Sequence, residues 1–292
     1  MLIETLSTFP SMYDSVMGTS MMRIAQEKGI LTFKAYDLRD WTHDRHRTTD
    51  DEPYGGGAGL VMKCEPIFEA YRALAEGVSS AFQDARVAAS ASDDSESADS
   101  APDASESAAS ESAVSGSSVS ENTPAKPYVI FLAPNGRTFD DKLATELSRE
   151  ERLLFICGHY EGIDERAYEL ADSVISLGDY VLTSGELASM VVIDAVVRKL
   201  PGVLGAPEGA ETESFTDGLL EYPQYTRPAD FEGRAVPAIL LSGNHGAIAR
   251  WRREQSLERT ARLRPDLLER APLTPQDRDF LKSLSSNANP LG

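Results

Sequence analysis

The stretches Cys157-Gly-His-Tyr-Glu-Gly-Ile-Asp-Glu-Arg166 and Ser176-Leu-Gly-Asp-Tyr-Val-Leu-Thr-Ser-Gly-Glu186 carry the strongest indication of the fold. Each begins where a short apolar run ends, and the two runs occupy 152–156 and 173–177. Runs of this length and composition are typical of buried strands. The sequence therefore predicts two strands that lead directly into glycine-containing loops, where glycine allows the backbone to approach a ligand closely.

A third apolar run, 128–132, ends equally abruptly in Ala133-Pro-Asn-Gly136. Three strands with Gly- and Pro-rich trailing loops indicate an open α/β sheet with a ligand crevice at its carboxyl edge. Ordinary strand-to-helix turns would show the same spacing, so the pattern alone does not decide between the two interpretations. None of the loops is a GxGxxG or Walker loop, so the standard dinucleotide and nucleoside triphosphate sites are not indicated.

Further motifs follow in order along the chain: PGVLG (201–205), GLLEYPQYTRP (218–228) and LLSGNHGAIARWRREQSLERT (240–260). Together with the two glycine-containing stretches, they make the chain resemble the bacterial tRNA (guanine-N1)-methyltransferases. These enzymes belong to the SPOUT, or trefoil-knot, class and modify the guanine just 3′ of the anticodon. The resemblance runs from Thr8 to about Leu268 with one long interruption, and several independent motifs in matching order make it specific.

The strands and helices alternate in the way that an α/β domain requires. Pattern reasoning alone would favour an unknotted doubly wound sheet, because knots are essentially absent from proteins. The resemblance instead implies a trefoil-knotted, mostly parallel sheet flanked by helices, with a small helical C-terminal domain. We expect a knot domain over 1–204, an interdomain linker over 205–213, and a tRNA-binding domain over 214–292.

Composition places the chain in the cytoplasm. The 292 residues are 41% apolar, and the two cysteines, Cys64 and Cys157, are far apart without metal-ligand partners nearby in sequence. Such cysteine usage fits a reducing compartment. No basic-then-apolar leader precedes Pro10, and no apolar run approaches the ~20 residues of a membrane span.

The net charge of −19 argues mildly against nucleic-acid binding, since a phosphate backbone favours a basic surface. Part of the excess is local, because the segment from Ala91 to Glu121 holds eight acidic residues and no Lys or Arg. Residues from about 85 to 125 are Ser/Ala/Asp/Glu repetition, and we predict a disordered insertion there. Such an insertion is tolerated because loop-closure entropy grows slowly with length.

The resemblance implies that S-adenosylmethionine binds in three loops. The residues that match the family's cofactor positions are Phe131, Leu132, Pro134, Gly158, Tyr160, Glu161, Ser176, Leu177, Gly178, Asp179, Tyr180, Val181, Leu182 and Gly185. Three positions depart from the family pattern: Ser184 replaces a common glycine, Ala188 a frequent proline and His159 a frequent arginine. A serine that needed positive φ would be strained, so we expect a cost in cofactor affinity at Ser184.

Methylation of guanine N1 requires removal of the N1 proton and stabilisation of charge on O6. A carboxylate can act as the base and a fixed cation can stabilise O6, whereas arginine cannot be the base because it stays protonated. The resemblance assigns the stabilisation of charge on O6 to Arg198. Arg198 also lies at the end of a predicted helix, where a cation interacts favourably with the helix dipole. The resemblance assigns the base to Glu213, where the family typically has aspartate, with Asp217 as the fallback.

Basic residues form two groups in the sequence, and the resemblance to the family implies that both groups contact the substrate. The predicted substrate-binding residues are His46, Arg47, Tyr54, Gly59, Arg227, Arg250 and Arg253. His43 and His46 could suggest zinc, but no further Cys or His completes a ligand set. The arginine-rich helix could also be a solvated helix with internal ion pairs.

The expected partners are tRNA and a second copy of the chain. By resemblance the active site is shared in a homodimer, with cofactor loops from one subunit and Glu213 from the other. Mg2+ is possible, but no acidic cluster identifies a site for it. Two alternatives stay open: a SPOUT ribose 2′-O-methyltransferase, and a tRNA-binding protein that has lost catalysis.

Overall fold

The computed structural model describes residues 1–76, 125–204 and 213–287. The chain forms two compact units, the first from Met1–Phe139 and Arg149–Ile193, the second from Asp140–Ser148 and Asp194–Gly292. The predicted insertion over 85–125 lies outside the described residues except for its last residue. The predicted linker lies outside them except for Glu213. The predicted domain boundaries therefore stay a prediction.

The first unit contains a parallel sheet of five strands. In chain order, the strands of this unit are β1 (Leu2–Ser7), β2 (Thr32–Asp37), β3 (Asp50–Asp51), β4 (Val61–Met62), β5 (Tyr128–Thr138), β6 (Arg152–Ile156) and β7 (Ser173–Ser176). Strands β3 and β4 form a small separate hairpin. The sheet order is β2-β1-β6-β5-β7, and every neighbouring pair is parallel. The predicted α/β class with a mostly parallel sheet is confirmed. All residues of β6 are buried, which explains the continuous apolar run that predicted it.

The described helices are short to medium in length. In chain order they are α1 (Asp14–Met17), α2 (Ser20–Glu27), α3 (Cys64–Ala75), α4 (Asp141–Leu147), α5 (Gly185–Val197), α6 (His245–Leu263), α7 (Pro265–Leu268) and α8 (Pro275–Asn287). None of these helices is both long enough and apolar enough to cross a bilayer.

Helix ends follow the local sequence. Gly29 lies just past α2 with φ of +68°, as expected for a residue after a helix C-cap. The Asp140 carboxylate accepts a hydrogen bond from the Leu143 amide at 2.8 Å and caps α4. Thr19 occupies the N-cap of α2, but its hydroxyl donates to the Ser15 carbonyl instead of accepting from the helix.

The core of the first unit lies between the sheet and α3. Its fully buried side chains come from both elements and include Val129, Phe131, Leu154, Ile67, Ala70 and Leu74. A buried ion pair crosses this unit: Arg152 donates to the Glu4 carboxylate at 2.7 Å. The remaining groups are also satisfied, since the Tyr36 hydroxyl donates to Glu4 at 3.0 Å and Arg152 donates to the Leu74 carbonyl at 2.9 Å. A buried ion pair is tolerated when its charged groups all have hydrogen-bond partners.

Two glycines allow backbone to pack directly on backbone. A Cβ on Gly136 would lie 2.6 Å from the Val174 and Ile175 backbone, at the point where the pairing of β5 with β7 is interrupted between Leu132 and Arg137. A Cβ on Gly185 would lie 2.7 Å from the Gly158 nitrogen. A side chain at either position would therefore require the neighbouring backbone to shift. The trefoil knot itself stays a prediction.

The second unit is helical in its last part, as predicted, where α6 packs against α7 and α8. The segment from 213 to 244 is different, because it is mostly irregular and contains the hairpin β8 (Asp230–Phe231) and β9 (Arg234–Ala235). Pro223, Pro228 and Pro237 account for this, since proline interrupts helices. The prediction of helical structure from residue 214 onwards is therefore wrong for this segment.

Candidate functional site

The three predicted loops form one crevice in the first unit. Its volume is about 410 Å³, and it lies beside the loop within β5 and the loops that follow β6 and β7. The predicted cofactor residues that line it are Leu132, Pro134, Gly158, Tyr160, Glu161, Ser176, Leu177, Gly178, Tyr180, Val181, Leu182 and Gly185. Phe131 does not line it, because it is fully buried in the core with its ring 4.8 Å from that of Tyr168. Asp179 is also absent from the lining.

Backbone conformation shapes the crevice. Gly162 and Gly178 adopt φ of +149° and +141°, values that side chains disfavour. Tyr160 has φ of +60°, which is uncommon for a residue with a side chain and is often found at functional sites. The Gly185 amide donates to the Gly158 carbonyl at 2.7 Å and joins the second loop to the third. The walls are therefore set mainly by main-chain geometry.

The prediction of backbone strain at Ser184 is wrong, because Ser184 does not adopt positive φ. The residue is buried, lines the crevice, and its hydroxyl has no hydrogen-bond partner among the described residues. His159 has the same property: its ring lies 4.8 Å from both Phe9 and Tyr160, and its Nδ1 is buried without a partner in the described part of the chain. Buried polar atoms normally have partners, so both atoms suit a ligand.

The glycine-rich segment that precedes β4 contacts the same crevice loop. The Glu161 amide donates to the Leu60 carbonyl at 3.1 Å, and the Met62 amide donates to the Gly162 carbonyl at 2.9 Å. Gly59 touches the Glu161 side chain so closely that an added Cβ would lie 2.3 Å from its Cγ. Burial first, and then the charge of Asp50, raise the pKa of the Tyr160 hydroxyl. The structure thus brings the predicted substrate residue Gly59 to the crevice loop that follows β6.

The other predicted substrate residues of the first unit lie on its surface. Arg47 pairs with the Asp40 carboxylate and donates to the Arg39 carbonyl at 3.2 Å, while His46 and Tyr54 are exposed. His43 bonds to the Glu69 carboxylate at 2.9 Å. Within the described ranges, no group of three or more His, Cys, Asp or Glu side chains could hold a metal ion.

A buried polar chain that sequence reasoning missed adjoins the crevice loops. The Tyr13 hydroxyl contacts Ser189 Oγ at 2.7 Å and Cys157 Sγ at 3.1 Å, and Ser189 donates to the Glu186 carbonyl at 2.8 Å. Burial, and then the Glu186 carboxylate, raise the pKa of the Cys157 thiol to about 12. Burial also raises the pKa of Tyr13. These groups therefore stay protonated at neutral pH.

In the second unit, the predicted catalytic residues contact each other. The Arg198 guanidinium donates to the Glu213 carboxylate, with the two side chains 39% and 34% exposed. The hydrogen bond from Arg198 to Glu213 raises the pKa of Arg198. The two groups are 15 residues apart in sequence, so their pairing is a product of the fold and not of local spacing.

Arg253 and the fallback base Asp217 belong to a separate charged cluster. Arg253 donates to Asp217 and, at 2.9 Å, to the buried carboxylate of Asp277. The Arg253 hydrogen bond holds the pKa of Asp277 below its ordinary value. Asp277 also accepts from the Thr274 amide at 2.9 Å and donates its own amide to Thr274 Oγ1, which caps α8. The sequence analysis did not identify Asp277, although the Thr-x-x-Asp spacing from 274 to 277 indicates it.

The remaining predicted tRNA contacts are Arg250, which is exposed on α6, and Arg227, which is exposed at the edge of a second cavity. The placement of Arg253 between two carboxylates supports a structural role. Its contact with tRNA stays a prediction.

The parallel sheet with a crevice at the ends of its strands defines an α/β protein with a loop-built ligand site. The sequence model of the family described as tRNA (Guanine-1)-methyltransferase TrmD matches residues 1–96 and 106–270. The chain therefore belongs to this family.

Similar proteins cover the chain almost completely. The tRNA (guanine-N(1)-)-methyltransferase of Moorella thermoacetica is 46% identical over 286 residues, covering 98% of this chain and 97% of the relative. The protein of the same description from Geobacter metallireducens is 45% identical over 290 residues, covering 99% and 100%. That of Dictyoglomus turgidum is 45% identical over 282 residues, covering 97% and 96%.

Proposed function

We propose that this protein methylates N1 of guanine in tRNA, with S-adenosylmethionine as the methyl donor and the guanine at position 37 as the target. Family membership and full-length relatives of that description support the reaction. The single observation that carries the residue roles is the contact between Arg198 and Glu213, because it joins the one cation and the one carboxylate that this chemistry requires.

The crevice fits the proposed donor. Its volume of about 410 Å³ is typical of small-molecule sites. Main-chain groups of the three loops would hold the donor. The Ser184 hydroxyl and His159 Nδ1, which have no partner in the described part of the chain, offer further hydrogen bonds. When bound, S-adenosylmethionine supplies an electrophilic methyl group, which N1 acquires as the sulfonium becomes a neutral thioether.

Glu213 is proposed as the general base. Its carboxylate is one-third exposed and can accept the N1 proton, which guanine carries at neutral pH. Glutamate has nearly the basicity of aspartate, so the departure from the family pattern changes reach and not proton affinity. Asp217 is a weaker candidate, because Arg253 and the Leu219 amide already donate to its carboxylate.

Arg198 is proposed to stabilise the charge that develops on guanine O6. Its guanidinium is permanently charged and has several donors in a fixed plane. One of them bonds to Glu213, and no other bond of this guanidinium occurs among the described residues, so further donors are proposed to face O6. The same contact that orients Arg198 also orients the base, so a single ion pair positions both groups.

We further propose that two copies of the chain share each active site, with tRNA bound by both. Exposed apolar side chains on α5, Leu187 and Val191, support burial of this face against another surface. Mixing two impaired variants tests the idea: Glu213→Gln and Gly185→Ala should together show more activity than the sum of the two measured separately, since one mixed site would hold both intact halves. Absence of any recovered activity contradicts sharing.

The location and metal requirement are also part of the proposal. The substrate tRNA and the two free cysteines suit the cytoplasm. A requirement for Mg2+ is tested by assaying methyl transfer with and without a chelator.

The decisive experiment incubates the protein with labelled S-adenosylmethionine and a tRNA transcript carrying guanine at positions 36 and 37. A parallel transcript carries adenine at 37, and digested nucleosides are resolved. We expect 1-methylguanosine from the first transcript alone. A 2′-O-methylated product would support a ribose methyltransferase, and donor binding without product would support a binding protein.

A further inference from the structure

The second unit contains a cavity of about 420 Å³ that no part of the proposed chemistry uses. Three aromatic residues border it, Tyr222, Tyr225 and Trp251, and two arginines, Arg227 and Arg252, complete the rim. Its apolar part includes Leu240 and Ile248, while Tyr225 is 49% exposed at the surface. A planar ligand can stack in an exposed aromatic pocket, and an anionic ligand can bind the cations at its edge. The pocket therefore suits a ligand that is both planar and anionic.

The rings and guanidinium groups are arranged as surfaces for stacking. The Tyr225 and Trp251 ring centroids are 6.4 Å apart with an interplanar angle of 49°, so the two rings are inclined to each other and not stacked face to face. The Arg252 Cζ lies 4.8 Å from the centroid of the Tyr222 ring. Aromatic faces and guanidinium planes of this kind are the groups on which unpaired bases stack.

Charge distinguishes this region from the rest of the chain. Helix α6 carries five arginines and two glutamates, whereas the whole protein has a net charge of −19. Among the described residues, neither Arg227 nor Arg252 lies within ion-pair distance of a carboxylate, in contrast to Arg253, the next residue after Arg252. Unneutralised guanidinium groups at the rim favour a phosphate-bearing ligand.

We propose that this cavity holds an unpaired base of the tRNA substrate, distinct from the guanine that is methylated, with Arg227 and Arg252 on its flanking phosphates. The proposal rests on the proposed tRNA substrate. Stacking on Tyr225 and Trp251 makes the contact tolerant of base identity, since every base has a π face. A proline-rich peptide would also fit the aromatic faces, but it would leave both guanidinium groups without an anion.

Trp251 provides a direct reporter of occupancy. The chain has only two tryptophans, Trp41 and Trp251, so Trp41→Phe leaves Trp251 as the single indole. We expect the tRNA transcript to quench its fluorescence, while a blunt RNA duplex of equal length binds without quenching. Equal quenching by both RNAs overturns the proposal, as does quenching by a polyproline peptide but not by tRNA.

Two matched pairs of variants test the contacts. Tyr225→Ala should raise the Kd for the tRNA transcript about tenfold, whereas Tyr225→Phe keeps the ring and should stay within about twofold of the parent. Arg252→Gln should weaken binding and reduce its salt dependence, whereas Arg262→Gln, an exposed change on the same helix, should do so less. Thermal melting confirms that each variant is folded.

The readouts separate this proposal from the proposed reaction. Tyr225→Ala should raise KM for tRNA while donor binding, followed by calorimetry, stays unchanged. If the parent protein yields no 1-methylguanosine, the reaction is wrong, and quenching of Trp251 by tRNA still tests the cavity. If Tyr225→Ala binds tRNA as the parent does, the cavity does not hold a base.

Discussion

The crevice of the first unit and the charged clusters of the second unit depend on different chemical features of the chain. In the crevice, glycines and main-chain hydrogen bonds set most of the shape, and the contact at Gly185 is backbone against backbone. In the second unit, contacts between individual side chains define the clusters: Arg198 with Glu213, and Arg253 with its two carboxylates.

This difference explains which departures from the family pattern matter. A main-chain site tolerates a change of side chain wherever the backbone keeps its path, and Ser184 is accommodated without positive φ. A side-chain site depends on functional-group identity and reach, so the glutamate at 213 is the more consequential departure. The difference predicts that side-chain removal will be severe in one region and mild in the other.

The largest effect is expected from Glu213→Gln, which keeps shape but removes the proposed base. Loss of general-base catalysis should reduce single-turnover methyl transfer about 10²- to 10⁴-fold, because this is the usual contribution of such a group. Donor binding by calorimetry should be unchanged. Transfer within about threefold of the parent rate would show that another residue accepts the proton.

Two controls accompany it. Asp217→Asn should reduce the rate far less if Glu213 is the base, and the reverse order would assign the role to Asp217. Glu213→Asp shortens the side chain to the length that the family typically has and should retain activity.

Gly185→Ala tests the claim that backbone contact defines the crevice. The added Cβ would lie 2.7 Å from the Gly158 nitrogen and 3.0 Å from the Cys157 Cα, and both atoms belong to the main chain. Overpacking of this kind should cost about 1–3 kcal/mol, seen as a lower melting temperature and weaker donor binding.

Gly246→Ala is its counterpart in the other unit, because only a side-chain oxygen 3.7 Å away faces the added group and the residue lies in α6. We expect unchanged or slightly higher stability there. Similar losses in both variants would show that steric contact at Gly185 is not the cause.

Arg253→Gln should destabilise the protein by about 1–2 kcal/mol at pH 7, because it leaves the buried Asp277 carboxylate without its main partner. The folded-state pKa of Asp277 is lowered, so its stabilisation is complete above the unfolded value near 3.9 and is lost as pH falls through the folded pKa. The variant should therefore show a shallower decline in stability below about pH 4.

Urea unfolding at several pH values measures both effects, with Arg262→Gln as the exposed control. Unchanged stability in Arg253→Gln, accompanied by weaker tRNA binding, would instead assign Arg253 to the RNA surface.

The smallest effect is expected from Ser184→Ala. The buried hydroxyl has no partner in the described residues and is expected to bond to the donor, so its removal should weaken donor binding about threefold. Calorimetry measures the change, and Ser184→Gly should not bind more tightly than the parent, since no backbone strain is relieved. A tighter complex for either variant would mean that the hydroxyl obstructs the ligand.

Local patterns predicted those elements whose residues share one environment. The strand β6 was predicted accurately because it is buried on both faces. At α8, Thr274 followed by Pro275 is likewise a local pattern that marks a helix start. The hairpin of β3 and β4 was missed, since strands of two residues carry no periodicity.

Other features depend on contacts between distant residues. Pro134 and Gly136 were interpreted as the end of a strand, yet β5 pairs with β7 again at Arg137 and Thr138. A local signal for leaving a sheet cannot show that the chain returns to it. Likewise, Arg253 had the sequence character of a surface cation, and only the folded chain brings Asp217 and Asp277 to it.

The burial of Cys157 affects how readily this thiol can be alkylated. Burial raises the pKa of this thiol far above neutral pH, so it stays protonated. The thiolate is the form that attacks alkylating agents, and Cys157 immediately precedes a loop that is proposed to hold a methyl sulfonium. A protonated and enclosed Cys157 sulfur is not a nucleophile towards the proposed donor, which leaves the methyl group for the proposed RNA substrate.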